Sequence, residues 1–292
     1  MRKALCLISL VLACFSAVAQ LSKWEFGVLL GGSNYVGDIN SSFNSNEKNA
    51  QWNQFESSFD FYNTNFLGGI FARYNINSRW TINAGLNFTR IEGEDAHFNN
   101  PRNLSFHSNL NELNLMCEFN FFSYQTGSRL HRITPYLFAG IAGFYFNPKA
   151  IVNNPITLEQ EEVELRPLNT EGQGMEGYPK AYSRYGFAIP FGLGMKFSLG
   201  KYVCIGLQWG FRKTFTDYLD DISTKYVDHE TLVNWGGELS AEAADRTHEL
   251  SGMEGYYHPH NTARGNSNTK DWYNFFGITI STKLSLGSKK CL

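Results

Sequence analysis

The amino-acid sequence predicts an all-β protein: an eight-stranded antiparallel transmembrane β-barrel with short periplasmic turns and four long extracellular loops. Segments of about ten residues alternate apolar and polar side chains, as strands that cross a bilayer do. The gaps between these segments are short and long in turn. The chain also begins with the pattern of an export signal. These observations together predict an integral protein of the outer membrane.

Residues 1–19 are predicted to form a secretory signal peptide. Arg2 and Lys3 give it a charged start, an apolar run follows, and residues 17–19 (Ala-Val-Ala) fit the pattern of a cleavage site. Cleavage leaves residues 20–292 as a single outer-membrane β-barrel domain. No later segment has the ~18 to 20 consecutive apolar residues that a membrane-spanning helix needs.

Charge and cysteine content exclude several classes of function. The formal net charge of −2 gives no reason to expect binding to nucleic acid. Without the signal peptide the cysteines are Cys117, Cys204 and Cys291, whose wide spacing predicts neither a disulfide framework nor a zinc site. We therefore expect no cofactor. An alternative processing route is lipidation at Cys14, which follows an alanine.

Eight segments carry the strand pattern. In the clearest one, residues 80–89, every even-numbered residue is apolar or aromatic and every odd-numbered residue is polar or glycine. A period of two places one set on each face of a strand. The predicted strands are residues 24–38, 65–76, 79–91, 108–124, 134–146, 184–199, 201–215 and 271–286.

The connections fall into two length classes. Residues 77–78, 125–132 and 200 form the short ones, and the long ones are residues 39–64, 92–107, 147–183 and 216–270. Outer-membrane barrels have short periplasmic turns and long external loops, so both termini are expected in the periplasm. The last loop is predicted to lack an apolar core of its own. Pro190 lacks a backbone donor, which predicts a bulge or a gap in pairing.

Aromatic residues are predicted to form a girdle at each end of the barrel. The expected members are Trp24, Tyr74, Trp80, Phe121, Tyr136, Phe197 and Tyr202 at the periplasmic end, and Tyr35, Phe66, Phe88, Phe144, Phe187, Phe211 and Trp272 at the outer end. The alternative is a soluble barrel or sandwich with the apolar face inward. The other face would then present glycine, alanine and asparagine with few charges, which is a poor surface for water.

The polar face predicts a charged network in the lumen. Its ionisable members are Glu25, Arg73, Glu112, Glu118, Lys196, Arg212 and Lys283. Buried charges must pair to offset desolvation, so we expect Glu112 and Glu118 to meet the nearby cations in a polar plug. An eight-stranded barrel is just wide enough for side chains to fill it. The alternative use of such a network is a narrow ion or proton path.

No catalytic or metal site is predicted. His258 and His260 lie beside acidic residues in the last loop, but their spacing across a proline is a weak metal pattern, and no nucleophile motif accompanies them. Five residues stand where this loop leaves and rejoins the barrel: Asp217, Asp220, Asp221, Arg264 and Asp271. We expect them to fasten the base of the loop through ion pairs and backbone contacts. For the acidic stretch 214–221 the alternative is calcium binding, although it lacks the residue order of a known calcium loop.

Segments spread over the predicted mature chain resemble the PorG family, an outer-membrane barrel of the type IX protein secretion system. They are Trp-Glu-Phe-Gly at 24–27, Gly-Gly-Ser-Asn-Tyr-Val-Gly-Asp at 31–38, Pro-Tyr-Leu-Phe-Ala-Gly at 135–140, Phe-Asn-Pro at 146–148, Pro-Leu-Asn-Thr-Glu-Gly-Gln-Gly at 167–174, Ile-Pro-Phe-Gly at 189–192, Thr-Asp-Tyr-Leu-Asp-Asp at 216–221, Arg-Gly-Asn at 264–266 and Asp-Trp-Tyr at 271–273.

The resemblance implies a non-enzymatic component that ties a periplasmic ring, built from a PorK-type lipoprotein and its PorN-type partner, to the outer membrane. Only the periplasmic turns and termini could meet such a ring. The candidate contacts there are Lys23, Arg79, Arg129, Arg132 and Lys201; basic residues beside anionic outer-membrane lipid are the alternative explanation. Two other functions stay open: a general structural or surface-interaction barrel, and a small lipid-active enzyme or narrow channel.

Overall fold

The computed structural model describes residues 23–39, 63–98 and 102–284, in which ten strands form. The predicted signal peptide, residues 40–62 of the first long loop and the end of the last predicted strand lie outside the described residues. The strands are β1 (Trp24–Val36), β2 (Asn65–Asn75), β3 (Trp80–Glu94), β4 (Ser105–Asn120), β5 (Ile133–Tyr145), β6 (Pro148–Asn153), β7 (Gln160–Glu164), β8 (Tyr185–Leu199), β9 (Val203–Thr214) and β10 (Trp272–Lys283).

Eight of these strands close into a barrel. Each pairs antiparallel with both neighbours in the order β1-β2-β3-β4-β5-β8-β9-β10, and β10 returns to β1 from Glu25↔Lys283 to Val36↔Trp272. Closure gives each of these eight strands two partners, so the barrel itself has no unpaired edge. The predicted eight-stranded antiparallel barrel is confirmed. The short connections meet at one end, here called the turn end, and the long ones at the other, the loop end.

The long connection 147–183 contains a hairpin that the sequence pattern did not predict. β6 follows β5 after two residues and pairs with β4 at His107↔Lys149 and Ser108↔Pro148, and β7 then pairs along β6. The hairpin thus extends the barrel wall at the loop end. Its second strand, Gln-Glu-Glu-Val-Glu, has one apolar residue, so apolar alternation could not reveal it.

The last long loop is also more ordered than predicted. After the short helix α1 (Leu165–Leu168) in the preceding loop, this one forms α2 (His229–Gly236) and α3 (Glu238–Ala244). Val227, Leu232, Ala241 and Ala244 are buried together between them. The expectation that the loop has no apolar core is therefore wrong. Two of its four buried members are alanine, whose small side chain adds little to a hydropathy pattern.

The two faces of the barrel wall differ as a membrane protein requires. Outward Phe66, Leu113 and Phe187 are 72%, 62% and 74% exposed, whereas inward Glu112 and Arg212 are 1% or less exposed. This is the reverse of a soluble barrel, whose apolar face turns inward. No helix among the described residues is long and apolar enough to cross a membrane.

Three predicted girdle residues face the lumen instead. Tyr35, Tyr136 and Phe144 are at most 3% exposed, so their assignment to the outer surface is wrong. The glycines of β8 explain the position of Tyr136, because a β-carbon on Gly194 would lie 2.5 Å from its ring. Alternating glycine therefore marks the places where inward aromatic rings need space, a cross-strand relation that the pattern of one strand does not show.

Pro190 occupies the gap in pairing that its missing donor predicts. Between Ala139↔Phe191 and Ala142↔Ala188, β5 and β8 have no paired residues, although the register is the same on both sides. On its other side Pro190 pairs in register with Arg212 of β9. The prediction of a local gap is confirmed, and no residue is inserted.

The lipid-facing surface can be tested at Leu115, which points outward in the middle of β4 and is 49% exposed. We expect Leu115→Arg to lower the free energy of unfolding by about 2–4 kcal/mol, because it places a charge in the bilayer core. The measurement is denaturant unfolding in lipid vesicles. The control is Leu130→Arg in the β4–β5 turn, where the side chain is 88% exposed. Equal losses in the two variants would contradict the assignment.

Candidate functional site

The lumen holds a first ion cluster around Glu118. Its carboxylate pairs with Arg73 Nε at 3.0 Å and Lys196 Nζ at 2.5 Å. Asn83 donates to the same carboxylate at 2.6 Å, and Lys196 also donates to Asn120 at 3.0 Å. The side chains of the three charged residues are 1% exposed. Two cations and several donors around one carboxylate offset the loss of water at this level of the barrel.

A second cluster surrounds Glu112, nearer the loop end. Arg212 Nε lies 3.3 Å from its carboxylate, and Tyr273 donates its hydroxyl proton at 2.8 Å. Asn87 and Asn114 each donate at 2.9 Å. The guanidinium of Arg212 also lies over an aromatic ring, 4.0 Å from the centroid of Phe275. The structure therefore brings together the carboxylates and cations that the sequence placed in the lumen.

Glu25 and Lys283 meet at the turn end without a direct ion pair. They are partners across β1 and β10. Glu25 accepts hydrogen bonds from Thr126 at 2.6 Å, Asn75 at 3.0 Å and Ser281 at 3.2 Å. Lys283 Nζ donates to the Thr126 carbonyl at 3.4 Å. Thr126 therefore links the two side chains at the turn-end opening of the barrel. The Lys283 ammonium retains further N–H donors, because it has three.

Above the lumen, at the loop end, lies a polar layer that we call the loop-base cluster. Its members are Tyr35, Asp38, Asp95, Arg102, Glu171, Asp217, Asp220, Asp221, Arg264 and Asp271. Tyr35 is its centre, since its hydroxyl lies 2.7 Å from Asp220 and 2.9 Å from Asp271. Each carboxylate uses its other oxygen for a backbone N–H, of Ile222 and Leu219 respectively. The two ends of the last loop are thereby joined to β1.

The proton count at Tyr35 has a chemical consequence. Its hydroxyl has one hydrogen but two carboxyl neighbours, and the N–H of Asp38 donates to its oxygen at 3.1 Å. One hydrogen cannot serve two carboxylates, so an additional proton is required on Asp220 or Asp271. Burial and the neighbouring acids raise the pKa of both carboxyls well above its usual range.

Two arginines hold the rest of the cluster together. Arg264 pairs with Glu171 at 3.1 Å and donates to the carbonyl of Asp221 at 2.7 Å. Arg102 pairs with Asp95 at 2.7 Å and donates to the carbonyls of Asp38 and Arg264. Each guanidinium thus joins loops that are far apart in sequence, as a planar fork with several donors can.

Carboxyl groups outnumber buried cations in this cluster. Arg102 and Arg264 are its only arginines, and the ammonium of Lys270 lies 3.8 Å from Asp217 with 43% of its side chain exposed. Burial raises the pKa of Asp217 to about 7. Burial also raises the pKa values of Asp38 and Asp221 to about 6, against the opposing effects of Arg102 and Arg264. The cluster therefore binds protons near neutral pH.

The structure brings together all five predicted loop-base residues, but five other members of the cluster were missed. Tyr35, Asp38, Asp95, Arg102 and Glu171 come from three other loops or strand ends. Tyr35, Asp38 and Glu171 lie in the segments quoted for the PorG resemblance, which is the one sequence feature that could have marked them. Asp95 and Arg102 carry no local signal.

The histidines of the last loop form acid–base pairs but no relay to a nucleophile. His258 Nδ1 lies 3.0 Å from Asp245, and His248 Nε2 lies 3.0 Å from Glu242. The Thr247 hydroxyl lies 3.2 Å from that same Nδ1, so it does not occupy the nucleophile position opposite the acid. In the part of the chain that the structure describes, no three His, Cys, Asp or Glu side chains are arranged to hold a metal ion.

The five candidate periplasmic contacts all lie at the turn end. Lys23 precedes β1, Arg79 is in the β2–β3 turn, Arg129 and Arg132 are in the β4–β5 turn, and Lys201 is in the β8–β9 turn. All five are exposed. None has a carboxylate within 4.0 Å among residues 23–39, 63–98 and 102–284. In this part of the chain they form a rim of positive charge that no carboxylate neutralises.

A closed barrel with an apolar exterior, a charged buried lumen and its long loops at one end is an outer-membrane β-barrel, and this chain is a protein of that class. The sequence matches the family described as a domain of unknown function (DUF6089) over residues 2–168, more than half of its 292 residues, and the chain belongs to this family. No curated protein matches it.

Several solved outer-membrane barrels are similar in structure. Neisserial surface protein A matches with a TM-score of 0.40 at 8% identity, covering 89% of this chain and 97% of that one. Ail, the attachment invasion locus protein of Yersinia pestis, gives 0.36 at 9%, covering 89% and 98%. OprG of Pseudomonas aeruginosa gives 0.36 at 9%, covering 89% and 96%. At such identities the likeness concerns the fold alone.

The lumen pairing can be tested at Glu118. We expect Glu118→Gln to lower the free energy of unfolding by about 3–5 kcal/mol, because it leaves Arg73 and Lys196 buried without a carboxylate. The control is Glu92→Gln, which breaks the exposed pair with Arg90 at 3.3 Å and should change stability by about 0–1 kcal/mol. Denaturant unfolding in vesicles measures both variants. A neutral result at Glu118 would mean that the pair is not needed.

The loop-base cluster predicts a dependence on pH. Between about pH 4 and pH 7 the folded cluster binds more protons than the unfolded chain, whose aspartates have a pKa near 3.9, so stability must fall as pH rises through this range. We expect faster hydrogen exchange in residues 216–224 at pH 8 than at pH 5, after correction for the intrinsic rate. Asp217→Asn removes the carboxyl with a pKa of about 7 and should reduce the difference. Protection that rises with pH would contradict the prediction.

Proposed function

We propose that this protein is a non-enzymatic component of a type IX protein secretion system that anchors a PorK/PorN-type periplasmic ring to the outer membrane. The observation that supports this role best is the rim of basic residues at the turn end, around Lys23, Arg79 and Lys201, which have no carboxylate partner among the described residues. Exposed cations that no internal carboxylate neutralises are available to an acidic partner surface, and they speed its association. The resemblance to the PorG family supplies the identity of that partner.

The orientation of the barrel is part of the proposal. β1 begins and β10 ends at the turn end, so the described chain enters and leaves the barrel there. In outer-membrane barrels the short turns face the periplasm. The basic rim would then face the compartment in which the ring is built, and the loop-base cluster would lie at the cell surface.

A structural role agrees with the state of the lumen and the loops. The side chains of Glu112, Glu118, Arg73, Lys196 and Arg212 are paired and inaccessible to solvent, which opposes a wide pore. Among the residues that the structure describes, none places a nucleophile against the histidine pairs of the last loop. The surfaces available for contact with a partner protein are therefore the turn end and the loop end.

A general surface-interaction barrel is the second candidate, and the β6–β7 hairpin favours it. At the hairpin tip Ile156 and Leu158 are 75% and 86% exposed. Leu158 has a φ of 58°, a left-handed conformation that leucine rarely adopts. Strain of this kind is often kept at functional sites, so an apolar tip held in this way could contact another protein at the loop end.

The ring proposal can be tested by affinity purification of a tagged chain from gently solubilised outer membranes. We expect recovery of the ring lipoprotein and its partner, and a marked loss of both in Arg129→Glu/Arg132→Glu because the rim charge is reversed. The matched control is Lys180→Glu/Lys225→Glu, which makes the same change at exposed loop-end positions. Recovery of the wild-type barrel alone, from membranes that contain an intact ring, would contradict the proposed function.

A further inference from the structure

The mouth of the barrel at the turn end contains a cavity of about 230 Å³. It is lined by residues of β1, β2 and β10 and by the β2–β3 and β4–β5 turns, among them Lys23, Glu25, Asn75, Thr126 and Lys283. Water in the liquid takes about 30 Å³ per molecule, so this volume has room for one acidic side chain with a few waters. The cavity lies inside the ring of strand ends.

Two lysines in this cavity have no carboxylate partner. Lys23 Nζ donates to the Ile76 carbonyl and Lys283 Nζ to the Thr126 carbonyl, each at 3.4 Å. Neither ammonium lies within 4.0 Å of a carboxylate in the described part of the chain. An ammonium has three donors, so each lysine retains two for a guest.

Glu25 limits what the guest can be. Glu25 is 1% exposed, and its carboxylate already accepts hydrogen bonds from Thr126, Asn75 and Ser281. It is therefore a fixed negative charge in the cavity. With two lysines and one glutamate, the cavity has a formal charge of +1. A guest with one negative charge is neutralised there, whereas a doubly charged phosphate would leave excess negative charge beside Glu25.

We propose that this cavity is a binding site for an acidic side chain of a protein segment, held between Lys23 and Lys283. The inference rests on the proposed function in one respect, that the turn end faces a periplasmic partner. Membrane lipid is not the occupant, because headgroups contact the outside of the barrel wall, whereas Glu25 and Lys283 face the lumen as partners across β1 and β10, and Lys23 lines the same cavity. The segment therefore approaches from the aqueous compartment below the barrel.

The site can be tested on the purified barrel in detergent micelles, without any ring. The probe is acetyl-Ala-Glu-Ala-amide, compared with acetyl-Ala-Gln-Ala-amide, and the readout is the NMR signal of the lysine side chains. We expect the Glu peptide to shift the Lys23 and Lys283 signals with saturation in the millimolar range, and at least tenfold weaker binding of the Gln peptide. Inorganic phosphate that binds as tightly as the Glu peptide would overturn the proposal.

Variants separate the cavity from general attraction between charges. Lys23→Met should abolish the saturable shift at Lys283, whereas Leu130→Glu, which also lowers the charge by one unit at an 88% exposed site outside the cavity, should leave it unchanged. Equal weakening by the two variants would overturn the proposal. In cells, a ring that is recovered with wild type and equally with Lys23→Met would exclude the cavity contact and leave the anchoring function standing. Loss of the ring from the wild type itself would refute that function instead.

Discussion

The hydrogen-bonding needs of the backbone in lipid constrain the rest of this structure. Inside a bilayer no water can satisfy an N–H or C=O group, so each strand must pair on both sides and the sheet must close. Closure with eight strands fixes a narrow lumen. The polar half of every strand then faces a space that is nearly dry, where ionised side chains need an ion partner or several hydrogen bonds. The clusters around Glu118 and Glu112 are the solution in this chain.

The lumen and the loop-base cluster are joined at one pair of residues. Tyr35 and Tyr273 are partners across β1 and β10. Tyr273 donates its hydroxyl proton to Glu112 in the lumen, and Tyr35 contacts Asp220 and Asp271 in the loop-base cluster. The last loop is thus fixed to the same two strands that close the barrel. A change in protonation of Asp220 or Asp271 therefore acts on the place where the loop and the wall meet.

The sequence predicts the wall well because period-two alternation is a local property. It gave all eight barrel strands to within a few residues and placed Glu118 with Arg73 on the inner face. It failed where the cause lies in another strand or loop. Tyr136 faces the lumen because Gly194 leaves space for it, and Arg102 joins the loop-base cluster through contacts with Asp38 and Arg264. Such relations exist only after the barrel has closed.

Several segments that resemble the PorG family have a common structural role in the folded chain. Residues 31–38, 167–174, 216–221, 264–266 and 271–273 are scattered in sequence, yet each contributes at least one residue to the loop-base cluster or its hydrogen bonds. A cluster of many carboxyls and two arginines tolerates few substitutions, because removal of one partner leaves another buried group without compensation. These motif residues are therefore explained by the stability of the loop end, whereas the proposed contact with a periplasmic ring lies at the turn end. Resemblance in these segments and the anchoring function are separate questions, and only variants at the turn end address the second.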